Sequence, residues 1–126
     1  MGYVMTNPNP VHNLTGECVI RAISIAENKA WDDVFLDLML VSFALKDIPS
    51  SNHAWGTFLH SLGYRRKVIP DTCPDCYTVR DFAMDNPSGT FILATGTHVV
   101  TVIDGNYMDT WDSGDEVPIY YWSKED

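Results

Sequence analysis

Basic residues are scarce in this sequence: 8 Lys and Arg stand against 17 Asp and Glu, giving a formal charge of −9 over 126 residues. Binding nucleic acid through its phosphates needs clustered cations. Only Arg65, Arg66 and Lys67 cluster, at what reads as a strand edge, so nucleic acid is excluded as a partner. From Asp104 to Asp126, seven acidic residues are set against Lys124 alone, a net −6. Such a stretch suits basic or neutral partners and reads chiefly as a solvated face. Long apolar runs are missing too. None approaches the ~20 residues of a membrane span, and Met1 to Asn9 has neither the basic nor the apolar region of a secretory signal, so a cytoplasmic protein with no membrane partner is expected. Cysteine is sparse and odd in number. Three cysteines, two of them close together at Cys73 and Cys76, cannot staple a secreted scaffold, which favours a reducing compartment. Repeats and low-complexity segments are absent, and no signal fixes an oligomeric state.

What remains is an ordinary globular composition, 45% apolar and 12% aromatic, in a chain long enough for one domain with one core. Met1 to Leu14 contains Asn7-Pro8-Asn9-Pro10 and reads as an extended lead-in, because residues before proline avoid helical angles. From Glu17, apolar residues at Val19, Ile20, Ala22, Ile23 and Ile25 recur at helical spacing, with Thr15 or Gly16 where a cap should lie. Trp31 to Lys46 predicts a second, buried helix, presenting Val34, Phe35, Leu38, Leu40 and Val41 for burial, with Asp32 and Asp33 suiting its macrodipole. A third starts around Ser51, carries Trp55, Phe58, Leu59 and Leu62, and stops at Gly63. Tyr64 to Ile69 reads as a strand, and Thr78 to Met84 as a short helix. Thr90–Thr95, Thr97–Ile103, Asn106–Trp111 and Pro118–Trp122 are rich in β-formers, and Asp104-Gly105 is a two-residue hairpin signal. Helices first and strands last define an α+β class, with N-terminal helices packed on a C-terminal antiparallel sheet.

Chemistry points to Cys18. A thiol attacks only as thiolate, and a helix N-terminus with a neighbouring imidazolium lowers its pKa. Of His12, His53, His60 and His98, the first three read as surface or capping residues. His98 opens a strand, which holds a base more rigidly than a loop does. The third group follows from register. A two-residue turn at Asp104-Gly105 pairs Ile103 with Asn106 and sets Val100 opposite Asp109, so Asp109 shares the face of His98 as its diagonal neighbour, roughly 7 to 8 Å away between backbones. A three-residue turn would shift the register and favour Asp112. Taken singly, each residue has a plainer role: a lone Cys on an apolar helix is usually core, and an Asp beside a hairpin is usually a turn residue. Cys73-Pro-Asp-Cys76 fits a turn, a redox pair, or half of a zinc site completed by His53 or His60.

Gly16-Glu-Cys18-Val resembles the Gly-x-Cys at the helix start of papain-like cysteine peptidases, Thr97-His98-Val-Val-Thr-Val resembles their histidine strand, and Asp109-Thr-Trp111 resembles their Asn-Ser-Trp. The small size, with Asp in place of Asn, is most similar to bacterial peptidases that trim leader peptides from bacteriocins. The resemblance implies a papain-like fold and a Cys18-His98-Asp109 triad, with Trp111 shielding the histidine pair from water and no metal or other cofactor. It departs from that family at His12, where the family has the glutamine that helps hold the oxyanion. Asn13 is the first substitute, with Asn9 or the Cys18 N–H as others. The expected function is a thiol hydrolase cleaving an extended peptide in an open cleft, selective for small residues near the cut. The alternatives are a papain-like binding protein without turnover that antagonises a partner protein, and an acyl transferase or amidase on the same triad.

Overall fold

The computed structural model describes residues 2–12 and 17–124. Four helices accompany one six-stranded sheet. In chain order the elements are β1 (Gly2–Met5), α1 (Cys18–Glu27), α2 (Trp31–Leu45), α3 (Asn52–Ser61), β2 (Tyr64–Val68), α4 (Val79–Asp85), β3 (Thr90–Ala94), β4 (Val99–Ile103), β5 (Asn106–Asp109) and β6 (Tyr120–Lys124). The sheet order is β1-β5-β4-β3-β6-β2. Every pairing is antiparallel except β1 on β5, which is parallel.

Local chemistry explains the boundaries. The Ser51 hydroxyl accepts from the Ala54 N–H at 3.0 Å and starts α3, while Thr78 and Asp81 form a reciprocal capping box on α4. Gly63, at φ 98°, takes the left-handed turn after α3. Asp104 and Gly105 both have positive φ, 50° and 81°, the combination that closes a two-residue hairpin in the twist sense of its strands.

Two cores flank the sheet. On one face, α1 to α3 bury Ile23, Leu38, Trp55 and Leu59 against Ile92, Ala94 and Trp122. On the other, α4 sets Val79, Phe82 and Ala83 against Leu93, Val100, Val102 and Tyr107. Successive residues of β3 and β4 thus serve opposite layers, as a period-2 strand requires. The Thr101 hydroxyl donates to the Ala22 carbonyl at 2.6 Å and ties α1 to β4.

The α+β expectation holds, with corrections. The sheet is not wholly C-terminal or wholly antiparallel: part of the supposed lead-in forms β1, and the polar Asn-Pro sequence downstream gives no hint of a strand whose partner lies about a hundred residues away. α2 is not a buried helix. It packs chiefly on α1 and α3 as an outer layer and buries only Val34, Leu38 and Ser42. Phe35 and Leu40 are 37% and 67% exposed. The last strand begins at Tyr120 rather than Pro118, since proline has no N–H to give a ladder. The expected cap at Thr15 or Gly16 lies outside the described residues. Among the described residues, no helix is long and apolar enough to cross a membrane.

Candidate functional site

Three elements converge on Cys18. It is the first residue of α1, after Glu17, which makes no side-chain cap. The thiol therefore sits at the positive end of the helix, beside N–H groups that have no intrahelical acceptor. His98 sits just before β4, a shift from the strand-opening position expected. It is held by a tight turn in which the Thr95 hydroxyl accepts from the His98 N–H at 2.9 Å and the Thr95 N–H donates to the His98 carbonyl at 2.8 Å. Asp109 ends β5 and is completely buried.

The pairing counted from the sequence is observed for Ile103 with Asn106, Val102 with Tyr107 and Thr101 with Met108, but the ladder ends there and does not include the expected pair of Val100 with Asp109. Val100 and Tyr107 face α4, whereas Asp109, past the end of that ladder, turns its carboxylate toward Arg21 of α1 and reaches His98, with Nε2 to Oδ2 at 2.6 Å. Asp112 is turned away, accepting from the Tyr107 hydroxyl at 2.8 Å and lying near Arg80. Cys18 and His98 line the same cleft. Because Nε2 is engaged by Asp109, Nδ1 is the ring nitrogen left for the sulfur.

The electrostatics favour an ion pair. Burial pushes the Cys18 thiol up, but hydrogen bonds from His98 and the Val99 N–H, with the charges of His98 and Arg21, outweigh it and hold the thiol below its ordinary value. Burial pulls His98 down, but its bonds to Asp109 and Cys18 and their charges carry it to about 9. Burial likewise opposes ionisation of Asp109, and its bonds to His98 and Ser113 overcome that, leaving the carboxyl below its usual range. Both shifts run toward a thiolate facing an imidazolium.

Three supports escaped the sequence reading. Arg21, 5% exposed, donates from Nη2 to Asp109 Oδ1 at 3.0 Å and from Nη1 to Glu17 Oε1 at 3.3 Å. The Ser113 hydroxyl donates to Asp109 Oδ2 at 2.8 Å. The Asp109 carbonyl accepts from the Tyr3 hydroxyl and the Thr6 N–H, so β1 anchors the backbone that carries the carboxylate. Arg21 was open to detection: a cation inside the apolar run Val-Ile-Arg-Ala-Ile needs a buried partner. The acidic C-terminal stretch is solvated at Asp104, Asp112 and Asp115, as expected, while Asp109 is internal.

Trp111 lies with its ring centroid 4.9 Å from that of His98 and is 46% exposed, covering the imidazole from one side. His12 is exposed, with φ 54°, and donates its backbone N–H to the Asn9 carbonyl. Asn9 is buried and its Oδ1 accepts from the Val11 N–H. Asn13 lies outside the described residues. Of the expected substitutes, the Cys18 N–H lies at the first residue of α1.

A cleft of about 400 Å³ opens beside Cys18 and His98, within the usual range for ligand sites. Its floor is apolar, from Ile20, Leu38, Trp55 and Tyr120, and Ser50, Asn52, Thr95 and Thr97 line it with polar groups. Among the described residues no cluster of His, Cys, Asp and Glu is placed to hold a metal ion.

Cys73 and Cys76 are joined by a disulfide, so Cys18 carries the free thiol. Bridged sulfurs are not zinc ligands, which removes the half-site alternative in this state. The partners are only 3 positions apart, so the bridge constrains little beyond its own turn, and chain-entropy reasoning gives it at most about 2 kcal/mol. Reduction with a phosphine is expected to leave the fold intact and the alkylation rate of Cys18 unchanged, read by peptide mass mapping. A loss of Cys18 reactivity on reduction would instead couple the bridge to the site.

No known protein family, curated protein or solved structure matches this chain at a significant level.

Proposed function

We propose that the chain is a papain-like cysteine peptidase acting through Cys18, His98 and Asp109. The observation that carries this reading is the bond of the His98 ring to a buried Asp109 oxygen at 2.6 Å, with Cys18 and His98 together lining one cleft large enough for a peptide segment. Support comes also from the order of the three short motifs and from the placement of the nucleophile on a helix packed against the strands bearing its partners. The role needs a reduced Cys18, and Cys18 is the free thiol while Cys73 and Cys76 are bridged, a bridge that runs against the expectation of a reducing compartment.

The chemistry follows from the protonation states. The Cys18 thiolate adds to a peptide carbonyl carbon, and the developing oxyanion receives the Cys18 N–H. The imidazolium of His98 gives its proton to the departing amine as the C–N bond breaks, leaving a thioester. Neutral His98 then takes a proton from water as water adds to the thioester. The carboxylic acid leaves, Cys18 returns as thiolate and His98 as imidazolium. Asp109 holds Nε2–H throughout, so that Nδ1 always faces the sulfur.

An epoxysuccinyl peptide is expected to form a single adduct on Cys18, and a mixed library of extended peptides to be cleaved, by mass spectrometry, by the native chain but not by Cys18→Ala. Labelling without cleavage, with retained binding of a basic protein by Cys18→Ala, would replace the peptidase reading with that of a binding protein. Products bearing an added amine in place of water would make the chain an acyl transferase.

A further inference from the structure

The orienting carboxylate is used on both of its oxygens. Oδ2 accepts from His98 Nε2 and the Ser113 hydroxyl, and Oδ1 accepts from Arg21 Nη2 and the Thr110 N–H. An asparagine in the same place would have only one accepting oxygen. If that oxygen faced His98, the amide NH2 would meet Arg21 and the Thr110 N–H, donor against donor. The choice of Asp at position 109 is therefore tied to the buried arginine that follows the nucleophile by about one helical turn.

We infer that Arg21 is a positioning residue of the site: it clamps Oδ1 of Asp109, fixes Oδ2 on His98, and balances the charge that an aspartate brings next to a thiolate. The inference rests on the peptidase reading for what the site does, but the clamp is a feature of Asp109 and Arg21 themselves. The ionisable groups around Asp109 are Cys18 and Arg21 from α1, Glu17 just before it, His98 from the turn before β4, and Tyr3 from β1. With Glu17 and Asp109 anionic and His98 cationic, Arg21 leaves a thiolate facing a nearly balanced surrounding. Without it the thiolate would face two carboxylates and one cation, all shielded from water. A buried arginine with partners on both of its Nη atoms also holds its plane, as a lysine would not.

The test is a double-mutant cycle read by the pH profile of Cys18 alkylation with iodoacetamide, which needs no substrate. Arg21→Gln is expected to move the acid limb up by about one pH unit, a tenfold loss of rate on that limb. Asp109→Asn is expected to lose at least as much. The double variant Arg21→Gln/Asp109→Asn is expected to recover about tenfold over Asp109→Asn alone, because the introduced glutamine offers an oxygen to the introduced asparagine amide where Arg21 offers only donors. Arg21→Lys keeps the charge without the fork and is expected to fall between native and Arg21→Gln. Additive effects across the cycle, or an unmoved profile with only a lower melting temperature, would make Arg21 a structural ion pair and overturn the inference. A native chain whose Cys18 reacts like an ordinary thiol would defeat the peptidase reading instead, so the two failures are distinct. Should Arg21→Gln alone not fold, the comparison of Asp109→Asn with the double variant decides.

Discussion

Replacing His98 by glutamine is expected to lower the alkylation rate of Cys18 at pH 6 by on the order of 100-fold, because the thiolate loses the cation that sustains it. Burial, which opposes the thiolate, stays in place. The native profile should carry two limbs, one where Cys18 ionises below its ordinary value and one near pH 9 where His98 loses its proton. These belong to the coupled pair rather than to either residue. In His98→Gln a single limb should remain, at or above the value of a free thiol. The variant should fold, since Asp109 keeps Arg21, Ser113 and the Thr110 N–H. Stability supplies a second readout. His98 is raised to about 9 from 6.5, so its contribution is full below about pH 6.5 and is lost as pH rises through 9. Melting temperature should therefore fall between about pH 7 and 9.5 more steeply in the native chain than in His98→Gln. Identical alkylation profiles for the two proteins would show that His98 does not act on Cys18.

Asp109→Ala is expected to damage both stability and chemistry. It removes the acceptor from four donors at once, Arg21, His98, the Ser113 hydroxyl and the Thr110 N–H, and leaving one partner of a buried pair uncompensated costs about 3 to 5 kcal/mol. Loss of the group that fixes the histidine tautomer lowers turnover by up to about 10⁴-fold in comparable triads. Denaturant unfolding measures the first effect. For the second, cleavage is followed at a temperature where the variant remains folded. Asp112→Ala is the control: Asp112 is turned toward Tyr107 and Arg80 at the surface, so its loss should leave turnover within about twofold and stability within about 0.5 kcal/mol. Equal losses in the two variants would move the orienting role away from Asp109. Acid adds a check of sign. The Asp109 carboxyl is held below its usual range, so its stabilising bonds persist above about pH 4 and are lost as pH falls through its folded value.

Much of this site is written in short stretches of chain. The position of Cys18 at a helix start follows from apolar spacing after Glu17. The register from Ile103–Asn106 to Thr101–Met108 follows from counting across Asp104-Gly105, because a two-residue turn leaves the antiparallel pairing no freedom, but the turn of Asp109 toward α1 and His98 does not. The class of fold and most element boundaries follow from the same local rules. Sequence also favoured a reducing compartment, and the Cys73–Cys76 bridge shows that spacing alone does not fix the state of the sulfurs.

What the tertiary structure alone decided involves residues far apart in the chain. The strand Gly2–Met5 gains its meaning only from β5, and with it the anchoring of Asp109 by Tyr3 and Thr6. The solvent-facing side of α2 is apolar in sequence, and only its position as an outer layer exposes Leu40 and Phe43. Arg21 appears in sequence as a cation out of place, and the fold supplies its reason by bringing Asp109 to it across 88 positions. Local spacing sets which side chains share a face, while pairing between distant segments sets which charges must be buried together. The sequence by itself therefore singled out Cys18, His98 and Asp109, and the packing of α1 on the sheet decided where that aspartate points and what holds it in place.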